Sequence, residues 1–120
     1  MADVLFNRVA FIGIGLIGSS LARVIRRDGL AKKIVACART EKTRKAALHF
    51  NLADSVTDNI AVAVTDADLV IICTPIGAYA SIAKSMSASL KENAIVSDVG
   101  SVKRAVIDAV APHIPNGVHF

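Results

Sequence analysis

The stretch "VAFIGIGLIGSSLARVIRR", residues 9–27, changes character at its glycines. Before the first glycine it is apolar without interruption, as in a strand that is buried on both faces. Gly13, Gly15 and Gly18 then follow in the spacing G-x-G-x-x-G, and beyond them apolar residues recur at helical spacing with arginines between them. The stretch therefore predicts a strand, a glycine turn and a helix, which Gly29 would end.

The rest of the chain repeats this alternation of short apolar runs and helical patterns. Strands are predicted over residues 8–12, 33–38, 55–57, 68–75 and 94–99, and helices over residues 16–28, 41–50, 59–67, 76–90 and 102–111. Such alternation is typical of βαβ units on a parallel sheet. We expect an α/β fold, a Rossmann-like doubly wound parallel sheet in the order 3-2-1-4-5. Because "NGVHF" (116–120) only begins a further strand, we expect a single domain truncated in its sixth strand.

Composition limits the partners. A chain of 120 residues that is 53% hydrophobic can bury one core, which predicts one domain. Its net charge of +4 comes from 14 basic and 10 acidic residues, and many of the basic ones lie between Arg23 and Lys45. Only 4% of the residues are aromatic, so base stacking has little support. The basic excess suits a small molecule that carries phosphate, and we expect no nucleic acid partner.

The same sequence favours a cytoplasmic protein. No apolar run approaches the roughly 20 residues of a membrane span, and "MADVLFNR" lacks the features of a signal peptide. Cys37 and Cys73 do not form a C-x-x-C motif, as expected for core cysteines in a reducing compartment. We expect no membrane partner and no metal.

The glycine turn predicts a dinucleotide. In this fold the first glycine allows a tight turn, the second lets the backbone approach a pyrophosphate, and the third lets helix and strand pack closely. The anion then lies at the helix N-terminus, so we add Leu16 and Ile17, the first residues of the helix, to the predicted binding residues. The alternative, that the glycines serve only a turn, explains one of the three well.

The end of the second strand bears on which dinucleotide is bound. An acidic residue usually stands there in proteins that bind NAD, whereas an arginine can accommodate the 2′-phosphate of NADP. Here Ala38 takes the acidic position, and Arg39 and Thr40 follow it. This set favours NADP over NAD. Arg39 could instead stack on the adenine of NAD, and the neighbouring cations could be a solvated helix start.

Two further strand ends lie at the edge where open α/β sheets bind ligands. Cys73, Thr74 and Pro75 end the fourth strand, and the fixed backbone of Pro75 suits a flat ring, although it could be a simple strand stop. "SDVGSVK" (97–103) follows the fifth strand. Its predicted cofactor residues are Ser97, Asp98 and Gly100. Ser101 begins the next helix and could be an N-cap, a functional residue or both.

Three motifs together resemble one family. "GIGLIGSSLARVIRR" (13–27), "ADLVIICTP" (67–75) and "VSDVGSVK" (96–103) are similar to the N-terminal domain of prephenate/arogenate dehydrogenases, also called cyclohexadienyl dehydrogenases, of tyrosine biosynthesis. The resemblance covers nearly the whole chain, and its specific parts are G-L-I-G-S-S-L and D-V-G-S-V-K.

The resemblance implies an oxidative decarboxylation. Hydride would pass from the ring of prephenate or arogenate to NAD(P) while carbon dioxide leaves. It gives Ser101 a catalytic role, in support of a histidine in a G-H-P motif that would follow residue 120. It also implies a C-terminal helical domain that binds substrate and forms a homodimer. Residues 1–120 would be the NAD(P)-binding domain, inactive alone.

Two other functions remain open on the sequence. The chain could be a stand-alone module that senses NAD(P) without catalysis. It could also belong to another NADP-dependent reductase that acts on a small acid or imine, since a fold does not fix a substrate. A G-H-P motif followed by a helical segment would favour the dehydrogenase.

Overall fold

A computed structural model describes residues 4–100 and 103–120, and within these ranges the strands form one parallel sheet. The sheet has the order β3-β2-β1-β4-β5, as expected from the sequence. The strands are β1 (Phe6–Ile12), β2 (Ala31–Cys37), β3 (Ser55–Thr57), β4 (Leu69–Ile72) and β5 (Ile95–Asp98). The helices are α1 (Gly15–Arg27), α2 (Glu41–His49), α3 (Ile60–Val64), α4 (Tyr79–Met86) and α5 (Lys103–Val110). Short 3₁₀ turns cover Ile76–Ala78, Ser87–Ser89 and Ala111–His113.

Local chemistry explains several helix ends. The N–H of Thr43 donates to the side chain of Thr40 at the start of α2, and the side chain of Asn59 caps α3 in the same way. Gly29 has a φ of +64° just after α1, a backbone conformation that favours glycine. These ends agree with the predictions for α1, α2 and α3.

The core lies on both faces of the sheet because side chains alternate along β1. Val9 and Phe11 pack on one face with buried residues of α1 and α2. Ala10 and Ile12 pack on the other face with residues of α3, α4 and α5. All four are at most 2% exposed, so the sheet is the middle of three layers, as a doubly wound fold requires.

Some sequence expectations need correction. The predicted strand 68–75 is ordered as a strand only over Leu69–Ile72, because the chain turns at the sheet edge. By contrast, the expected truncation in the sixth strand agrees with the structure, where a single parallel bridge joins Ile95 and His119. On α1, Ile17 and Val24 are 57% and 39% exposed although both belong to the apolar residues that recur there at helical spacing.

Asp68, the residue immediately before β4, has three described hydrogen-bond partners. Its carboxylate accepts hydrogen bonds from the N–H of Asn7 at 2.7 Å and the N–H of Arg8 at 3.1 Å. It also pairs with the ammonium group of Lys91. The side chain thus ties the start of β1 to the segments before β4 and β5.

Candidate functional site

The glycine turn follows β1 at the carboxyl edge of the sheet. Gly13 has a φ of +73°, and its N–H donates to the carbonyl of Cys37 at 2.8 Å. A Cβ on Gly13 would lie 2.8 Å from Cγ2 of Thr74. The first glycine is therefore required both by its backbone conformation and by the close approach of the β4 end.

The other two glycines differ in their surroundings. A Cβ on Gly18 would lie 3.1 Å from Sγ of Cys73, so α1 packs closely against the end of β4. A Cβ on Gly15 would meet only the carbonyl oxygen of Cys73, at 4.0 Å, among the described atoms. Gly15 also has a φ of +53°. The space in front of it is open to a ligand.

The N-terminus of α1 lacks the usual protein partners for its free N–H groups. Its N-cap residue is Ile14, and no described side chain caps it. The first turn contains no acidic residue, while Arg26 and Arg27 occupy the last. Unpaired N–H groups and the helix dipole together favour an anion at this end.

A cleft of about 540 Å³ extends from the glycine turn past the ends of β2 and β4. Its polar lining includes Arg39, Thr40 and Asp58, and it is otherwise mostly apolar. The lining residues are Ile12, Gly13, Ile14, Cys37, Ala38, Arg39, Thr40, Thr43, Asp58, Ile60, Thr74, Pro75, Ala78, Ser81 and Ile82. The structure thus brings Gly13 of the glycine turn together with the predicted residues Arg39 and Thr40 after β2 and Thr74 and Pro75 after β4.

The cations near the end of β2 are not equivalent. Arg39 is exposed and forms no ion pair with any described residue. Arg44 is committed to the protein, because its Nη1 donates to the carbonyl of Ala38 at 2.8 Å and of Arg39 at 3.0 Å. Arg44 therefore fixes the backbone that carries Arg39.

Cys73 and Thr74 are half-buried at the end of β4. Burial raises the pKa of the Cys73 thiol to about 11, so the thiol stays protonated at neutral pH. Cys73 also lines a shallow apolar depression of about 310 Å³ beside α1, together with Gly15, Leu16, Ile17 and Gly18. Oγ1 of Thr74 is buried, and no described group bonds it. It is an unsatisfied polar atom at the cleft.

The segment after β5 is stabilised by hydrogen bonds among its own residues. The carboxylate of Asp98 accepts from the N–H of Gly100 at 2.7 Å and from Lys103 at 3.4 Å. The hydroxyl of Tyr79 donates to the carbonyl of Ile72 at 3.2 Å. Burial, with the nearby Asp98 charge as the next cause, raises the pKa of Tyr79.

Ser97 is exposed, and neither Ser97, Asp98 nor Gly100 lines the cleft or the depression. The structure does not bring these three predicted residues together with the others. Ser101 lies outside the described residues. Sequence reasoning missed Tyr79 and Asp58, because neither belongs to a recognisable motif.

Over residues 4–100 and 103–120 no group of three or more His, Cys, Asp or Glu is placed to hold a metal ion. Within the same ranges, none of the helices has the length and apolar character that crossing a bilayer requires.

A glycine turn between β1 and α1, an uncapped helix N-terminus and a cleft at the carboxyl edge of a parallel sheet define a dinucleotide-binding domain. Residues 21–120 match the family described as prephenate dehydrogenase, nucleotide-binding domain. The chain belongs to this family. The glycine turn lies just before the matched segment.

Curated relatives and solved structures agree with this assignment. A cyclohexadienyl dehydrogenase of Zymomonas mobilis is 40% identical over 113 residues, which are 94% of this chain and 39% of the relative. A prephenate dehydrogenase of Bacillus subtilis is 28% identical over 115 residues, 95% of this chain and 31% of that protein. The chain thus spans about two fifths or less of these relatives' length.

The solved structures are similar over most of the chain. A prephenate dehydrogenase from A. aeolicus, in complex with hydroxyphenyl propionate and NAD⁺, superposes with a TM-score of 0.86 at 26% identity, covering 98% of this chain and 41% of that one. Synechocystis arogenate dehydrogenase gives a TM-score of 0.80 at 30% identity, with 88% and 37% covered.

Proposed function

We propose that residues 1–120 are the NAD(P)-binding domain of a prephenate or arogenate dehydrogenase. The observation that carries the proposal is the open space at Gly15, in front of a helix N-terminus that no described side chain caps. A pyrophosphate needs such a position, because backbone must approach it closely and donate N–H groups to it. Family membership supports the same function.

The described residues fit the cofactor. Gly13, Gly15, Leu16 and Ile17 would hold the pyrophosphate on α1, and the cleft beside Arg39 would hold the adenosine. The unsatisfied Oγ1 of Thr74 supports a polar ligand at this edge. When bound, the nicotinamide supplies the acceptor for hydride.

The remaining functions of the whole enzyme are proposed from the family. The substrate, prephenate or arogenate, would lose carbon dioxide as its ring becomes aromatic, and a helical domain would bind it and form the homodimer. Ser101 would support the catalytic histidine, and Ser97, Asp98 and Gly100 would border the nicotinamide. We propose a cytoplasmic location for the enzyme.

We further propose that the domain prefers NADP. Ala38 stands where an acidic residue is usual, so no carboxylate at this position repels a 2′-phosphate. The guanidinium of Arg39 lies at the cleft rim and forms no ion pair with a described residue. Thr40 adds a hydroxyl, although that hydroxyl already caps α2. Charge-assisted hydrogen bonds of this kind contribute about 1.5 to 3 kcal/mol, which predicts at least a tenfold preference.

Competition binding of NADP and NAD to the domain tests this preference. The double change Ala38→Asp with Arg39→Ala should reverse it, because the new carboxylate accepts from a free ribose hydroxyl and repels phosphate. Lys42→Ala removes the same charge from an exposed position of α2 outside the cleft and is the matched control for Arg39→Ala. Equal or tighter binding of NAD by the unmodified domain would contradict the preference for NADP.

A further inference from the structure

Asp58 stands immediately after β3, beside the position where an acidic residue is missing on β2. The two strands pair in parallel with Cys37 opposite Thr57, and the N–H of Ala38 donates to the carbonyl of Thr57 at 3.0 Å. Ala38 and Asp58 are therefore neighbours at the carboxyl edge, about one strand spacing of 4.8 Å apart. The end of β2 thus has no carboxylate, because Ala38 stands there, but the end of the adjacent β3 has one, in Asp58.

Asp58 is exposed and belongs to the lining of the cleft. Of the described residues that line the cleft, it is the only one with a carboxylate. It forms no side-chain hydrogen bond or ion pair with any of them. Its charge also acts on Cys37, another residue of the cleft lining. Burial is the main cause that raises the pKa of the Cys37 thiol, and the Asp58 charge is the second.

The cleft that Asp58 lines also has apolar walls. Ile60, Ala78 and Ile82 line it and belong to one hydrophobic cluster, and such walls suit the faces of a flat ring. A carboxylate only accepts hydrogen bonds, so it recognises a donor on the edge of that ring. Adenine has one exocyclic donor, its 6-amino group, whereas a base with a carbonyl at this position would face the carboxylate with a second acceptor.

We propose that Asp58 selects the adenine base by accepting a hydrogen bond from its 6-amino group. This inference rests on the proposed function, since it needs the dinucleotide in the cleft. Arg39 and Thr40 then act on the sugar and its 2′ substituent, while Asp58 acts on the base. Two separate specificities would thus be built from neighbouring strand ends.

The test compares nicotinamide adenine dinucleotide with nicotinamide hypoxanthine dinucleotide, in which a carbonyl replaces the 6-amino group. The unmodified domain should bind the adenine form more tightly, on the order of fivefold or more for one hydrogen bond at a partly open site. Asp58→Ala should remove the difference. Asp58→Asn should remove or reverse it, because an amide can donate to the carbonyl.

Asp66→Asn is the matched control, because Asp66 is exposed and lies outside the cleft. It should leave the base preference unchanged. Equal binding of both dinucleotides by the unmodified domain would overturn the role of Asp58 while leaving the proposed function intact. The role of Asp58 would also be overturned if Asp58→Asn changed the relative affinities for NADP and NAD but kept the base preference. Failure to bind either dinucleotide would overturn the proposed function and this inference together.

Discussion

Gly15 and Gly29 have similar backbones but different surroundings. Their φ values are +53° and +64°, and a Cβ on Gly29 would meet no described atom within 4 Å. Both would therefore accept a methyl group at a similar strain cost, about 1 kcal/mol for a left-handed residue. Only Gly15 lies at the N-terminus of α1, where the pyrophosphate is proposed to bind.

We predict that Gly15→Ala strongly weakens dinucleotide binding, because the added methyl group occupies the path of the pyrophosphate. Gly29→Ala should lower thermal stability by a similar amount and leave the affinity unchanged. Titration calorimetry gives the affinities, and thermal unfolding followed by circular dichroism gives the stabilities. If Gly15→Ala binds as tightly as the unmodified chain, the glycine serves only the turn.

At this scale the sequence predicts residues that belong to local patterns and misses those that act over long distances. The caps Thr40 and Asn59 depend on a neighbour three positions away, and the glycine turn is marked by the spacing of its own glycines. Asp68 bonds Asn7 and Arg8, which are about 60 positions away. Asp58 reaches the cleft only because β3 pairs with β2. Sequence spacing carries no sign of either contact before the sheet order is known.

At the scale of elements, Asp68 links the start of β1 to the segments before β4 and β5. These segments lie at the amino edge of the sheet, opposite the cleft. Hydrogen bonding to Lys91 is the largest cause that lowers the pKa of this carboxyl, with the N–H groups of Arg8 and Asn7 adding to it. A carboxyl whose pKa is lowered on folding stabilises the fold above its ordinary pKa. That contribution is lost as the pH falls through the lowered, folded-state value.

We predict that Asp68→Asn lowers the free energy of unfolding at pH 7 by about 1 kcal/mol, since the side chain is partly exposed. The difference from the unmodified chain should shrink as the pH falls below about 4, the ordinary pKa of an aspartate, and should vanish below the lowered pKa of Asp68 in the folded chain. Urea unfolding at several pH values measures it. Asp66→Asn provides a nearby control without these partners, and a pH-independent difference would mean that the charge of Asp68 is unimportant.

The elements themselves were largely predictable, whereas some of their ends, such as the end of β4, were not. Alternation of apolar runs and helical patterns gave the order of all five described strands, because every strand but β3 is rich in apolar residues. Predicted β4 was twice its observed length, since "CTP" is apolar enough to continue a strand but turns away at the edge. Ile17 and Val24 show that an apolar helical stripe can be wider than the face that the sheet covers.

For the molecule as a whole, several large apolar side chains stay exposed in the described ranges, and two groups of them bear on self-association. One is on α1, where Leu16 is 91% exposed beside Ile17 and Val24. The other is at the β5 edge, where Ile95 and Phe120 are 41% and 45% exposed. A sheet edge also offers backbone N–H and C=O groups, and the single bridge to His119 covers β5 only near its start.

We predict that the 120-residue chain self-associates through the β5 edge, because an unpaired strand can pair with a second copy. Sedimentation velocity at increasing concentration should show a dimer. Ile95→Lys should weaken it by placing a charge on the edge, while Val24→Lys, an equal change on α1, should leave it unaltered. The opposite result for the two variants would assign the contact to the exposed face of α1.

The central position of β1 also bears on the order in which the strands pair during folding. Pairing β1 with β2 brings together Val9 and Ile34, 25 positions apart, whereas pairing β1 with β4 brings together Val9 and Leu69, 60 positions apart. Closing the longer loop costs about 0.8 kcal/mol more in chain entropy. We therefore predict that the β1–α1–β2 unit, with its glycine turn, forms before β4 docks onto it. A newly made chain can build this unit before β4 has been synthesised.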